Sequence, residues 1–363
     1  MKPKYYSLRG ILSKGAQYNV IFGERSNGKT YAVLKYALER YAEDGQQLAI
    51  VRRWQDDFTG KRGATIYDAL IANDEISKAT GGRWTSVYYY SSRWYLCTTD
   101  ASGQLVKDET PMAYGFSISS QEHDKSTSYP RITTVMFDEF LTRTSYLNDE
   151  FILFMNVLST IIRHRTDVTI FMLGNTVNRY CPYFREMGLT HVKDMQPGDI
   201  DVYRYGESSL TVAVEYTAPN KSGKGSDLYF AFDNPKLTMI TGGAWEIDVY
   251  PHCPVKYLPG EVLFTYFIQF SGDLLQCEIV QHDDLSFTFV HRKSTELKEP
   301  DRDLIYSPEF SQRPNWRRKI TKPASELEKK IAAYYAKDKV FYADNEVGEI
   351  VRNYLVWCRG GGG

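Results

Sequence analysis

Residues 19–38 read NVIFGERSNGKTYAVLKYAL, and within them Gly23, Gly28, Lys29 and Thr30 stand at the spacing G-x-x-x-x-G-K-T. That spacing suits the cradling of a polyphosphate. Glycines permit a tight loop whose N–H groups point inward. The N-terminus of a following helix adds partial positive charge beneath the phosphates. Lys29 is placed to neutralise β- and γ-phosphate oxygens, and Thr30 to ligate Mg2+. The candidate nucleotide-binding loop is therefore Gly23, Glu24, Arg25, Ser26, Asn27, Gly28, Lys29 and Thr30. Glu24 and Arg25 are additions that the motif does not need. They serve either a contact with a neighbouring strand or subunit, or a solvated surface.

A second group of chemical residues lies in TTVMFDEF, where Asp138 and Glu139 end an apolar run. An acidic pair at a strand end is weak evidence by itself. Beside a phosphate loop it has two roles: Asp138 holds Mg2+ through water, and Glu139 orients and deprotonates an attacking water. A kinase, whose acceptor is a hydroxyl, has no need of the second acid. Asn175, in FMLGN, is placed either to sense the γ-phosphate or hold the attacking water, or simply to serve a turn. Arg163 and Arg165, in STIIRHR, suit either the C-terminus of a helix or, for Arg163, a reach towards the γ-phosphate held by another subunit. The histidines, His123 and His164 among them, show no ligand spacing.

Such residues need strands to carry them to one edge. YNVIFG, QQLAIVRRW, AYGFSIS, ITTVMFDEF and DVTIFMLGN read as short apolar strands. KTYAVLKYALERYAEDG reads as an amphipathic helix closed by glycine, and NDEFILFMNVLSTIIRHR as a helix with Asn148 as its cap. TSVYYYSSRWYLCTTDASGQLV reads as a hairpin turning near Ser102 and Gly103. Alternating strands and helices, several strands being apolar throughout, predict an α/β domain with a parallel sheet covered on both faces. The pattern weakens over residues 193–230, where TAPNKSGKGSD is the best linker candidate. Beyond it come three successive strands in VLFTYFIQFSGDLLQCEIVQHDDLSFTFVHRK, a basic segment RPNWRRKITKP, and helices in SELEKKIAAYYAKDK and NEVGEIVRNYLVW. The expected division is a first domain over 1–205, a linker over 206–229 and a smaller α+β domain over 230–359.

The bulk composition bounds the partners. With 363 residues there is room for two cores. A formal net charge of -1 excludes a global positive field, so any nucleic acid would be held by local patches. The five cysteines lack CxxC spacing, which argues against a disulfide framework or zinc cluster and fits a reducing compartment. The start MKPKYYSLRG has no apolar core segment and no run of about 18 apolar residues occurs, so neither a standard secretion signal nor a membrane span is expected.

Together, NVIFGERSNGKTYAV, IVRRW, SYPRITTVMFDEF, IIRHR, LGN and CPYF resemble the DNA-packaging ATPases of the phi29-like group of small tailed bacteriophages. The resemblance covers most of the first 190 residues. It continues faintly in ELEKKIAAYYAKDKVFYADNEVGEIVRNYL. It implies an additional-strand P-loop ATPase using ATP and Mg2+, working as a homomeric ring, typically a pentamer. It further implies double-stranded DNA and the portal protein of the procapsid as partners, with a packaging RNA as a further candidate. Localisation would be the host cytoplasm, with transient residence at the portal vertex. By the same resemblance Lys29 and Thr30 match the Walker A residues and Asp138 and Glu139 the Walker B pair. Arg163 matches a trans-acting arginine finger, Lys125 a lysine acting across the subunit interface, and Arg52 and Arg53 a VRR near the adenine or phosphates.

The resemblance also implies a ribonuclease-H-like second domain that has lost its nuclease activity. The residues agree, since two-metal cleavage needs converging carboxylates and VLFTYFIQF carries none. Asp283, Asp284 and Asp344 are each explained by a turn or a cap. Arg313, Arg317, Arg318, Lys319 and Lys322 form the best candidate nucleic-acid patch, with a solvated basic surface as the alternative. Trp316 within it suits either base stacking or a core anchor.

Overall fold

A computed structural model describes residues 6–123, 128–144, 146–218 and 245–359. The chain divides into two compact units, Met1–Glu246 and Ile247–Gly363.

The first unit is built on β1 (Tyr18–Gly23), β2 (Gln47–Arg52), β3 (Ser86–Tyr90), β4 (Arg93–Thr99), β5 (Leu105–Lys107), β6 (Ala113–Ser117), β7 (Ile132–Asp138), β8 (Thr169–Asn175), β9 (Ile200–Arg204) and β10 (Thr211–Tyr216). They form a 10-stranded sheet in the order β3-β4-β6-β2-β7-β8-β1-β10-β9, with β5 on β4. The strands from β6 to β10 in that order are mutually parallel, and antiparallel strands close both edges. β8 is inserted between β1 and β7, as an additional-strand sheet requires.

Burial explains the apolar runs. In β1, Val20 and Phe22 enter one core with Val135, Phe137 and the helix Glu150–Ile162, while Ile21 enters the other with Leu48, Ile50, Met136 and the helix Lys29–Asp44. Both faces are dry, so adjacent residues of one strand are all buried. Fully burying such side chains contributes about 1.5–3 kcal/mol each before chain entropy is charged against it.

Three local expectations change. The turn at Ser102 and Gly103 is present between β4 and β5, where Asp100 Oδ1 accepts the N–H groups of Ser102 and Gln104 at 2.8 and 2.9 Å. A further turn at Ser91–Ser92, both with positive φ, splits the expected first arm into β3 and β4. Asn148 does not cap its helix. The N-cap is Asp149 in the left-handed region, and Glu150 reaches back to accept the Leu147 N–H at 2.8 Å. Part of the expected 206–229 linker, TVAVEY, is β10 and pairs in parallel with β1, while residues 219–229 lie outside the described residues. The surrounding turn residues masked its alternation.

The second unit carries β11 (Val262–Phe270), β12 (Asp273–His282), β13 (Leu285–Arg292), β14 (Ile305–Tyr306), β15 (Trp316–Arg317) and β16 (Val340–Tyr342). The order is β15-β14-β11-β12-β13-β16, a six-stranded mixed sheet. β11, β12 and β13 form an antiparallel meander. β14 runs parallel to β11, β15 to β14 and β16 to β13. The helices Glu326–Ala336 and Asn345–Arg359 bring buried Ile331, Val347, Ile350 and Tyr354 to this unit's interior. No helix among the described residues is long and apolar enough to cross a membrane.

Candidate nucleotide site

Parallel strands end together, which is why residues far apart in sequence meet here. Gly23 at the end of β1 pairs in register with Asn175 at the end of β8, and Asp138 at the end of β7 pairs with Leu173. Arg52 ends β2 beside them. The loop from Gly23 to Gly28 then leads directly into the helix beginning at Lys29.

Its two glycines have separate reasons. A Cβ on Gly23 would lie 2.0 Å from Thr217 Oγ1, so β10's end leaves no room for a side chain. Gly28 holds φ 93, a conformation that only glycine adopts at no steric cost. Asn27 is buried, donates from Nδ2 to Thr217 Oγ1 at 2.8 Å, and its carbonyl accepts the Tyr6 N–H at 3.1 Å. The loop is thus braced from β10 and from the N-terminal segment.

Lys29 is folded into this loop. Its Nζ donates to the Glu24 carbonyl at 2.7 Å, to Asn27 Oδ1 at 3.3 Å and to Asn175 Oδ1 at 3.3 Å. Burial lowers its pKa to about 8, against the opposing pull of Asp138 and Glu24. Arg25 pairs within the chain with Glu246 at 3.0 Å. Glu246 also receives Arg143 Nη1 on its carbonyl at 2.6 Å, and its N–H donates to the Thr176 carbonyl at 3.0 Å. Of the alternatives for Arg25, the contact inside its own subunit is the one seen.

At the neighbouring strand ends, Thr30 Oγ1 donates to Asp138 Oδ1 at 3.1 Å. A hydroxyl and a buried carboxylate side by side form a donor set that fits Mg2+. Arg52 spans both acids, at 2.6 Å from Asp138 Oδ2 and 3.4 Å from Glu139 Oε2. Glu139 has φ 62, and its side chain is 67% exposed. That reversal turns the carboxylate out of the sheet edge beside Asp138. Arg53 points elsewhere. It is buried against Glu150 at 2.8 Å, whereas Arg52 reaches Asp138, which separates the two arginines of VRR. The alternation of side chains along a strand accounts for this.

Not every candidate is gathered here. Arg163 is exposed at the end of the helix Glu150–Ile162, with φ 53. The chain then re-enters the sheet at Thr169, the first residue of β8, so Arg163 stands at the edge opposite Gly23 and Asp138. Capping falls to Arg165, whose Nη2 donates to the Ile161 carbonyl at 3.2 Å and the Ile132 carbonyl at 2.5 Å. Lys125 lies outside the described residues.

In the basic segment, Arg317 pairs with buried Glu328 at 3.1 Å, and Arg313 with Asp301 at 3.3 Å. Lys319 is buried over the Trp357 ring, which Arg318 also faces. Arg313, Arg318 and Lys322 remain exposed. Trp316 donates from its indole N–H to the Glu309 carbonyl at 3.0 Å. Asp344 accepts the Val347 N–H at 2.8 Å and Asp283 occupies a positive-φ turn, which are the cap and turn roles expected of them.

Sequence reasoning missed Glu150, Tyr183, Arg143 and Glu246. For Glu150 the available signal was its place directly before the apolar run FILF, in the first turn of the helix. Glu246 had none, because its role depends on chain folding back over a long stretch.

A glycine-rich loop from β1, a lysine and threonine opening the next helix, and an acidic pair at the end of β7 define a P-loop nucleotide-binding domain. Relatives narrow the class. The family of the podovirus DNA encapsidation protein (Gp16) matches residues 1–74 and 103–204. The DNA packaging protein of Bacillus phage phi29 is 26% identical over 186 residues, 50% of either chain, and that of Bacillus phage B103 is 26% identical over 182 residues, 49% of this chain and 50% of the relative. The chain thus aligns with about half the length of the curated relatives it matches. Among solved structures, the Phi-28 gp11 DNA packaging motor superposes with a TM-score of 0.54 at 16% identity over 99% of both chains. The bacteriophage Phi-29 genome packaging motor assembly gives 0.54 at 16% over 96% of both. At such identities the structures speak for the fold. The family model and the curated relatives make the first unit similar to the DNA packaging proteins of these phages, and the solved structures share its fold.

Proposed function

We propose that the chain hydrolyses ATP to ADP and phosphate and uses the cycle to drive double-stranded viral DNA into a procapsid. The observation that carries this is the meeting of Lys29, Thr30, Asp138 and Glu139 at one sheet edge in a chain related to phage packaging proteins. Lys29 and the loop N–H groups hold the phosphates. Asn175, already within reach of Lys29 Nζ, holds that amine towards the γ-position. Thr30 and Asp138 would hold Mg2+, which neutralises charge on the β- and γ-oxygens. Glu139 takes the proton from the attacking water, a task for which its exposed carboxylate beside the site is placed.

Arg163 stands at the far edge from its own loop, so it serves the site of a neighbour, with Lys125 as a second group from that neighbour. This reading makes the working unit a homomeric ring, a pentamer as is typical of the group, docked on the portal protein. ATP favours one arrangement of adjacent subunits and the products another, and that differential affinity converts hydrolysis into movement. The second unit is ribonuclease-H-like without cutting activity. Its order β13-β12-β11-β14-β15, with β14 and β15 parallel to β11, supports that assignment. It binds DNA, a packaging RNA or the portal through exposed Arg313, Arg318 and Lys322. Contacts go to phosphates, since such a motor must move any sequence.

The test is ATP turnover by the full chain with and without double-stranded DNA over a salt series. Turnover stimulated by DNA, the stimulation fading as salt rises, is expected. A chain that binds ATP yet never releases phosphate, with or without DNA, would end this reading.

A further inference from the structure

Arg53 and Glu150 form a buried ion pair that the chemistry above leaves without a task. The Arg53 side chain is 8% exposed and that of Glu150 is fully buried. Arg53 Nε donates to Glu150 Oε2 at 2.8 Å and Nη2 to Oε1 at 2.9 Å. Glu150 is held in turn by the Tyr183 hydroxyl at 2.8 Å and the Leu147 N–H at 2.8 Å, and Tyr146 lies under the guanidinium. Two further Arg53 N–H groups donate to main chain. Nη2 donates to the Phe140 carbonyl at 2.9 Å and Nη1 to the Glu139 carbonyl at 3.3 Å.

Those carbonyls belong to Glu139 and the residue after it. Glu139 sits in the left-handed region, where a side chain-bearing residue costs about 1–3 kcal/mol and persists only when its surroundings enforce it. Its carboxylate is exposed, with a 3.4 Å contact to Arg52, so its aim is set mainly through its backbone. A buried ion pair is a poor device for stability, since an apolar pair of similar volume often serves as well or better. A planar fork that binds a carboxylate on one side and two carbonyls on the other is a good device for fixing a loop.

The geometry points to Arg53 as a positioning residue for hydrolysis. Anchored by Glu150, it fixes the main chain of Glu139 and Phe140 so that the Glu139 carboxylate meets the attacking water in one orientation. This rests on Glu139 being the general base.

Two variants test it. Arg53→Lys keeps a positive charge opposite Glu150 but cannot span the carboxylate and both carbonyls. Arg53→Met combined with Glu150→Leu replaces the pair by apolar side chains and removes the clamp. Both are expected to lower kcat about 10–100-fold, the scale of a misplaced catalytic group, while KM for ATP and the affinity for a fluorescent ATP analogue stay within about twofold and Tm shifts by only a few degrees. A folded, nucleotide-binding double variant with undiminished kcat would overturn the inference. So would the loss of fold in both variants, which would assign the pair to stability. Turnover indifferent to Glu139→Gln would remove the underlying reading instead. Turnover that needs Glu139 but not Arg53 would remove this inference alone.

Discussion

The carboxylates of the two units have opposite fates. In the first unit Asp138 and Glu139 end a central parallel strand, where they meet Thr30 and Arg52. In the second unit Asp344 caps a helix, Asp283 turns a hairpin and Asp273 pairs with Arg292 at 2.5 Å. Glu278, on the antiparallel β12, is held down at about 2 by the His291 imidazole and the Tyr257 hydroxyl, against its own burial. Topology makes this difference. Parallel strands deliver their C-terminal ends and following loops to one edge, so separate acids and donors converge there. A meander sends successive ends to opposite edges and spends its acids locally. Among the described residues no group of three or more His, Cys, Asp or Glu gathers to hold a metal.

The largest expected effect would break the idea that the first unit's site is complete in one chain. Arg163→Ala should lower turnover about a thousandfold, as loss of an arginine finger does. Mixed assembly with Lys29→Ala, itself inactive, should recover part of it. No recovery in demonstrated mixed rings would return Arg163 to a surface role. Next, Lys29→Ala should weaken ATP-analogue binding roughly 30-fold or more, since it removes a buried charge contact. Fluorescence titration reads this directly, and wild-type affinity would remove Lys29 from the phosphates.

The lowered Lys29 pKa gives a pH test. Anionic phosphates favour the ammonium form, so affinity should be full below about pH 8 and decline as pH rises above it. The stability sign is the reverse. Above about pH 8 the folded chain has released a proton that the unfolded Lys29, with its ordinary value of 10.5, still holds, so this group favours folding increasingly up to that value. Nucleotide titrations at pH 7 and 9 that agree would count against the buried amine as the phosphate contact. The smallest effect belongs to the second unit. Asp344→Ala should cost about 1 kcal/mol as a lost helix cap and leave ATP turnover alone. Plasmid incubated with Mg2+ or Mn2+ should stay intact. Cutting that Asp283→Ala or Asp344→Ala abolishes would show that these acids do converge after all.

Much of this contrast was legible in the residues. Solidly apolar runs announced the parallel strands, and glycine spacing with Lys29 and Thr30 announced the loop between β1 and its helix. The pairing of DEF with that loop placed the acids on the right strand end. What escaped was set by tertiary packing. β10 was hidden by flanking turn residues although it braces the loop through Thr217. VRR could not show that its arginines diverge, one to Asp138 and one to Glu150. The basic segment looked uniformly available, yet Arg317 and Lys319 are engaged within the protein by Glu328 and Trp357, which lie farther along the chain.

The most direct test of the central claim, that hydrolysis depends on a water-activating acid at the end of β7, is phosphate release by Glu139→Gln at saturating ATP, with nucleotide affinity measured on the same preparation. Turnover about 10²–10⁴-fold below wild type, the range for a lost general base, with affinity unchanged, is the predicted result. Unchanged turnover with unchanged affinity would contradict it.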